Sequence, residues 1–367
     1  MRIVFWQNCL SPHQLPYIVY LMDDPRVDEV VIVAGEIVSA ARKNMGWRIT
    51  LFDSLNKCKV YITPHDAIIE NLFSKRSNDS HHLFSGIRAD CFVFKCLCLS
   101  MKYKLHRGMI TERPNTYSFK WNIANGKPYW MHRLRFYLQD RKYAKRMEHV
   151  FAIGNEADSY YKSLGLGWNV HPFCYCTQPI NGFPNITHTL AQYIFVGSLS
   201  PWKNPLSIIR AFTQIKSGRI KFIGDGSLKN KLIKEIERNN LQEYIEIIGT
   251  ISQQQIPSYL FKTDVLILPS LYDGWGAVVN EALHSGCFVI CSDACGACKL
   301  LFNNQKLGLV FKAGNDMSLT DCMKYVDTHL EEVRTNRDYR IKWAERHIGG
   351  RVVSKYLIDC LSVETVL

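Results

Sequence analysis

The stretch LPSLYDGWGAVVNEALHSG, Leu268 to Gly286, holds the residues best suited by type and spacing to do chemistry. It reads as a buried strand ending at Pro269, a glycine-containing turn, and a helix that starts near Ala277. Gly274 and Gly276 flank Trp275 and let the backbone come close to a ligand, while the amides of Ala277 and Val278 meet that ligand at the positive end of a helix dipole. Such a turn suits an anion. Asp273 stands just before the turn and Glu281 about one helical turn inside, a spacing that lets both carboxylates face one cleft and accept hydrogen bonds from hydroxyls. A capping Asp and a solvent-facing Glu fit the same spacing.

A second loop, FVGSLSPWKNP from Phe195 to Pro205, follows a strand. Gly197 permits a tight approach beside Ser198, and Lys203 can bring an ammonium to a phosphate beyond the strand end; a solvated Lys at a helix start is the plainer alternative. The turn IGDGS from Ile223 is strand-to-helix punctuation of the same kind. Cys291, Cys295 and Cys298 have the spacing with which radical S-adenosylmethionine enzymes hold an iron–sulfur cluster, but here Cys291 closes a strand late in the sheet, whereas that motif sits after a first strand. Small buried core cysteines account for them more simply.

These loops need a scaffold that presents strand ends. Short runs rich in Val, Ile and Phe alternate with segments of helical period along the whole chain, which predicts an α/β fold of doubly wound parallel sheets. Strands are expected at Arg2–Trp6, Val30–Ala34, His82–Phe84, Met109–Thr111 and Val150–Ile153. Helices are expected near Arg88–Lys102, Met131–Arg146 and Asn155–Ser163, the last capped by Asn155. A Pro-, Gly- and Asn-rich run from Thr177 to Thr189 sustains neither period. The alternation restarts at Tyr193–Val196 and continues through Ile220–Ile223, Ile245–Ile248, Val265–Leu268, Phe288–Cys291 and Gly308–Phe311. The expected division is residues 1–178, a linker at 179–190, a second domain at 191–347 and a terminal helix at 348–367. Ligands then bind between the two sheets, at the carboxyl ends of their strands.

Of 367 residues, 47% are hydrophobic and 21% charged, which excludes a disordered chain. No apolar run reaches the length of a membrane span, and MRIVFWQN reads as a first strand and not as a secretory signal. Thirteen cysteines, an odd number without a regular framework, predict reduced thiols and a cytoplasmic protein. The net charge is +12, and about 13 Lys or Arg against about two acids fall between Lys95 and Arg146. That basic stretch predicts contact with an anionic membrane surface, the inner face of the cytoplasmic membrane, more readily than with nucleic acid, for which no module is present.

Together, the Lys203 loop, the Gly224 turn and the Asp273–Glu281 segment resemble retaining nucleotide-sugar glycosyltransferases of family 4, with the GT-B architecture of two facing Rossmann-like domains. The likeness is specific over roughly Tyr193 to Leu300. It implies that Asp273 contacts hydroxyls of the donor sugar, Glu281 the ribose, and Lys203 the diphosphate; the family's usual Arg is Ser198 here, and its first Glu is Asp273. The donor base is expected near Ile247. In the first domain, HHLFSG resembles the motif that sets a His beside the donor, here His82, although a structural His fits as well. His13, in CLSPHQLP, and Glu112 are expected on the acceptor side. The resemblance implies a nucleotide diphosphate sugar as donor substrate, no cofactor, no metal (no Asp-x-Asp motif occurs) and a saccharide or lipid-linked acceptor. A nucleotide-sugar epimerase or hydrolase, or a noncatalytic nucleotide-sugar binder, shares the same cleft.

Overall fold

The computed structural model describes residues 1–39, 43, 58–76, 79–88, 90–114, 129–177 and 188–362. The apolar runs pair side by side into two wholly parallel sheets. The first contains β1 (Arg2–Cys9), β2 (Glu29–Glu36), β3 (Cys58–Ile62), β4 (Ser80–Phe84), β5 (His106–Glu112), β6 (His149–Ile153) and β7 (Asn169–Phe173), in the order β3-β2-β1-β4-β5-β6-β7. The second contains β8 (Gln192–Val196), β9 (Arg219–Ile223), β10 (Ile245–Gly249), β11 (Val265–Leu268), β12 (Phe288–Ser292) and β13 (Gly308–Phe311), in the order β10-β9-β8-β11-β12-β13. In each sheet the first strand is central and the order reverses beside it, which opens a crevice at the carboxyl ends.

Alternation along β1 shows why these runs are strands. Ile3 and Phe5 enter one apolar cluster, Val4 and Trp6 the other, so helices must cover both faces. β8 and β11 are buried along their whole length. The helix Gly350–Ser362 lies against Leu15–Leu21 of the first domain, with Gly350 so near the Pro16 carbonyl that a Cβ would fall 2.3 Å from its oxygen. Arg26 and Asp359 pair beside it at 2.8 Å.

Three local expectations change. The helix expected from Arg88 begins at Cys91, because Asp90 caps it by accepting from the Phe92 and Val93 amides. Asn155 caps nothing; Glu156, at φ 59°, precedes the helix Ala157–Lys162. The single helix expected over Met131–Arg146 is Tyr129–Arg135, a π-helical segment Phe136–Asp140, and Arg141–Ala144. Most of the linker expected at 179–190, through residue 187, lies outside the described residues. Among the described residues, no helix is long and apolar enough to cross a membrane.

Candidate active site

Two adjoining cavities of about 240 and 440 Å³ lie where the carboxyl ends of the two sheets meet, and both are walled by His13, Val196, Lys203, Ala277 and Val278. Ser11, Glu112, Tyr175, Asp273, Trp275 and Gly276 complete the first; Gly197, Ser198, Asp225, Thr250, Ile251 and Glu281 are among those completing the second. A larger cavity of about 870 Å³ opens at the amino ends of β8 to β10 and holds none of the expected site residues.

Lys203 reaches this cleft from the loop after β8 and is ion-paired with Asp273, both side chains being mostly buried. Gly276, at φ 88°, turns the chain so that the helix Val278–His284 begins at the cavity wall, and the first helical hydrogen bond is donated by Val279 to Gly276. The amides of Ala277 and Val278 therefore precede the intrahelical ladder, as anion binding requires. Ser198, at the position of the family's usual Arg, shares a hydrogen bond with Ser200 at 2.8 Å. Among the described wall residues Lys203 is the one Lys or Arg, set against Glu112, Asp225, Asp273 and Glu281. Glu281 is partly buried; loss of solvent pushes its carboxyl up to about 7, against a hydrogen bond from Gln253 that favours the carboxylate.

On the opposite wall, Glu112 is the last residue of β5, which runs one residue further than expected. Its carboxylate rests directly over Gly274, where a Cβ would fall 1.8 Å from Oε2. The Tyr175 hydroxyl donates to Glu112 Oε1 at 3.1 Å, and the Tyr175 ring lies between His13, 6.0 Å away, and Trp275, 6.5 Å away. Tyr175 and Asn280 escape the sequence reading, because Tyr175 belongs to no motif and the bonds from Tyr175 to Glu112 and Asn280 join positions remote in sequence.

The structure corrects three placements. His82 is in the middle of β4, fully buried, with Nδ1 accepting from Trp6 Nε1 at 3.1 Å and its ring 5.3 Å from Phe73. Burial holds its pKa well below the usual value, so it is a neutral core His and not part of the cleft. Ile247 does not reach the cavity, because β10 runs on to Gly249 and the wall is formed by the following Thr250 and Ile251. Gly274 is covered by Glu112 and does not line either cavity. Trp275 borders the first cavity, but its buried indole turns inward and donates to Asn280 at 2.7 Å.

Cys291, Cys295 and Cys298 are all fully buried. Cys295 Sγ donates to the Trp275 carbonyl at 3.0 Å, and Cys298 Sγ to the Asp293 carbonyl at 3.7 Å, so these thiols brace the turn that carries Asp273. Among the described residues, no three His, Cys, Asp or Glu side chains are arranged to hold a metal ion.

Residues 180–340 match the family model of glycosyl transferases group 1. That match covers less than half of the chain. The chain is 28% identical over 148 residues to N-acetylgalactosamine-N,N'-diacetylbacillosaminyl-diphospho-undecaprenol 4-alpha-N-acetylgalactosaminyltransferase of Campylobacter jejuni, covering 40% of this chain and 39% of that protein. The chain spans less than half the length of the curated relatives it matches first. Fold similarity extends further. The solved structure of Anabaena HepE in complex with UDP superposes with a TM-score of 0.68 at 15% identity, covering 99% of this chain and 100% of that one. The apo lipopolysaccharide outer core galactosyltransferase WaaB gives a TM-score of 0.70 at 13% identity, covering 98% and 99%. The fold of this chain is GT-B.

Proposed function

We propose that the protein transfers a hexose-type sugar from a nucleotide diphosphate sugar to a saccharide or lipid-linked acceptor with retention of anomeric configuration, in cell-envelope polysaccharide synthesis. The observation that carries this reading is the convergence of Lys203, Asp273, Glu281 and the Ala277 and Val278 amides on one cleft between the two sheets. The Campylobacter relative, named for an acceptor on diphospho-undecaprenol, supports the acceptor class.

Breaking the anomeric C–O bond leaves an oxocarbenium-like sugar and new negative charge on the departing phosphate. Lys203 and the two amides stabilise that charge as fixed donors in a partly dry site. Asp273 exchanges its Lys203 contact for hydroxyls of the donor sugar, and Glu281 accepts from the ribose. The leaving phosphate takes the proton of the acceptor hydroxyl, which approaches from the side of Glu112 and His13. Lys203 serves as the cation of this site, so chelation by EDTA is expected to leave turnover within about twofold.

The acceptor's lipid would lie at a membrane face of the first domain. Trp130, Leu134 and Leu138 recur every four residues and are 62%, 51% and 76% exposed, next to Arg133, Arg135, Arg141 and Lys142. An apolar stripe fringed by cations suits an anionic bilayer surface. Arg107 does not contribute to that face: it is buried and donates to the Ser100, Tyr103 and Leu105 carbonyls.

Incubation with a labelled donor and a lipid-linked saccharide tests the reading, with the new linkage assigned by NMR. An acceptor-dependent product that keeps the donor's anomeric configuration is expected. Sugar release or isomerisation without acceptor would favour a hydrolase or epimerase, and donor binding without any product would favour a binding protein.

A further inference from the structure

Asn280 is fully buried one residue before Glu281, on the helix Val278–His284. Its Oδ1 accepts from Trp275 Nε1 at 2.7 Å, and its Nδ2 donates to the Tyr175 carbonyl at 2.8 Å. An indole N–H can only donate and a carbonyl can only accept, so a side chain with one of each is required between them, and an aliphatic residue would strand two buried polar groups. The chain of contacts then continues. Tyr175 follows β7, in the segment that leads out of the first domain, and its hydroxyl donates to Glu112 Oε1 at 3.1 Å. Glu112 in turn rests on Gly274, the neighbour of Trp275. Trp275, Asn280, Tyr175, Glu112 and Gly274 thus form a closed circuit between the donor turn and the end of β5.

We propose that Tyr175 and Asn280 are positioning residues, through which the donor turn fixes where the Glu112 carboxylate stands and thereby aligns the acceptor hydroxyl with the donor sugar. The proposal rests on the glycosyltransferase reading and adds to it a means by which the two domains register with each other. Loss of the Tyr175 hydroxyl removes the bond that ties Oε1 to this circuit, so the carboxylate shifts relative to the turn that carries Gly274. A displacement of about 1 Å near reacting atoms costs on the order of 10²-fold in rate. Such a loss falls on the chemical step and spares the grip on the nucleotide, since Tyr175 borders only the first cavity and neither it nor Asn280 lines the second, where Glu281 and Ser198 lie.

Three variants test this, each measured for kcat, for donor KM, for UDP affinity by calorimetry and for Tm. Tyr175→Phe removes one oxygen and is expected to lower kcat about tenfold or more, with donor KM and UDP affinity within about twofold of wild type. Gly274→Ala reaches the same carboxylate from below: the three atoms nearest the new Cβ all belong to the far end of the flexible Glu112 side chain, so the fold stands while the carboxylate moves, and kcat falls as in Tyr175→Phe. Asn280→Leu loses kcat and, unlike the other two, also lowers Tm, because Trp275 Nε1 and the Tyr175 carbonyl lose their partner. Wild-type kcat in both Tyr175→Phe and Gly274→Ala would overturn the proposal, as would losses that merely follow the unfolded fraction. A wild-type protein that transfers to no acceptor would instead overturn the underlying function; transfer in wild type with unaffected variants refutes the circuit alone.

Discussion

Lys203 meets Asp273 before it meets any donor, and the two have opposite uses for a diphosphate sugar: the ammonium attracts phosphate, and the carboxylate repels it. Donor binding must therefore turn Asp273 toward sugar hydroxyls and leave Lys203 to the phosphates. Lys203→Ala is expected to lower kcat by about 10²-fold or more, the scale of a lost transition-state donor, as read by steady-state turnover. Glu281 gives a pH signature. Its carboxyl titrates near 7 in the folded protein, raised by burial, and only the carboxylate accepts from both ribose hydroxyls. Donor affinity should hold above pH 7 and weaken as pH falls through that value, with proton release on binding below it; Glu281→Gln should flatten the profile. A carboxyl whose folded value is raised above its unfolded value binds more protons when folded. Its contribution to stability is greatest at low pH and falls as pH rises from the unfolded value toward 7. Glu281→Gln should accordingly unfold at a higher temperature than wild type at pH 8.

The loops that bear these residues are seated by backbone-on-backbone contact. Gly154, at φ 109°, Gly274 and Gly296 come together from the β6 loop of the first domain and two loops of the second. A Cβ on Gly154 would fall 2.6 Å from the Gly274 carbonyl oxygen, and one on Gly296 would fall 1.9 Å from it. Gly154→Ala should cost roughly 1–3 kcal/mol by overpacking, plus backbone strain, in urea unfolding, and should reduce turnover because the Asp273 turn moves with it. Unchanged stability and turnover would contradict that seating. This contact shows what a sequence conceals. Strands such as Val150–Ile153 and Val265–Leu268 are legible because burial on both faces demands unbroken apolar runs. The edge strands β3 and β7 are half-exposed, and Lys59, His171 and Pro172 break their pattern. The Asp273–Glu281 spacing is equally legible, being local to one turn and one helix. The Asn280–Tyr175 bond spans 105 positions, and no local period records it. His82 misleads for the opposite reason: its neighbours fix a strand but not which face a given residue takes, and parity sends it into the core beside Trp6.

At the scale of the whole molecule, two sheets of like topology face each other with the cleft of Lys203 and Asp273 between them and an exposed apolar stripe on the first domain. Replacing Trp130, Leu134 and Leu138 together by Ser should weaken binding to vesicles rich in acidic lipid by about tenfold or more, and added salt should weaken what remains. Flotation that is equal for both proteins, or indifferent to acidic lipid, would remove the membrane face while leaving the cleft intact. The cleft itself is the central claim. Calorimetric titration of wild type and Lys203→Ala with uridine, guanosine and adenosine diphosphate sugars tests it most directly. One donor should bind wild type at one site per chain and lose about tenfold or more in affinity in Lys203→Ala, as expected for a charge-assisted contact to phosphate. Binding of no donor, or equal binding by both proteins, would contradict the assignment of Lys203 and the Asp273 turn to a nucleotide diphosphate sugar.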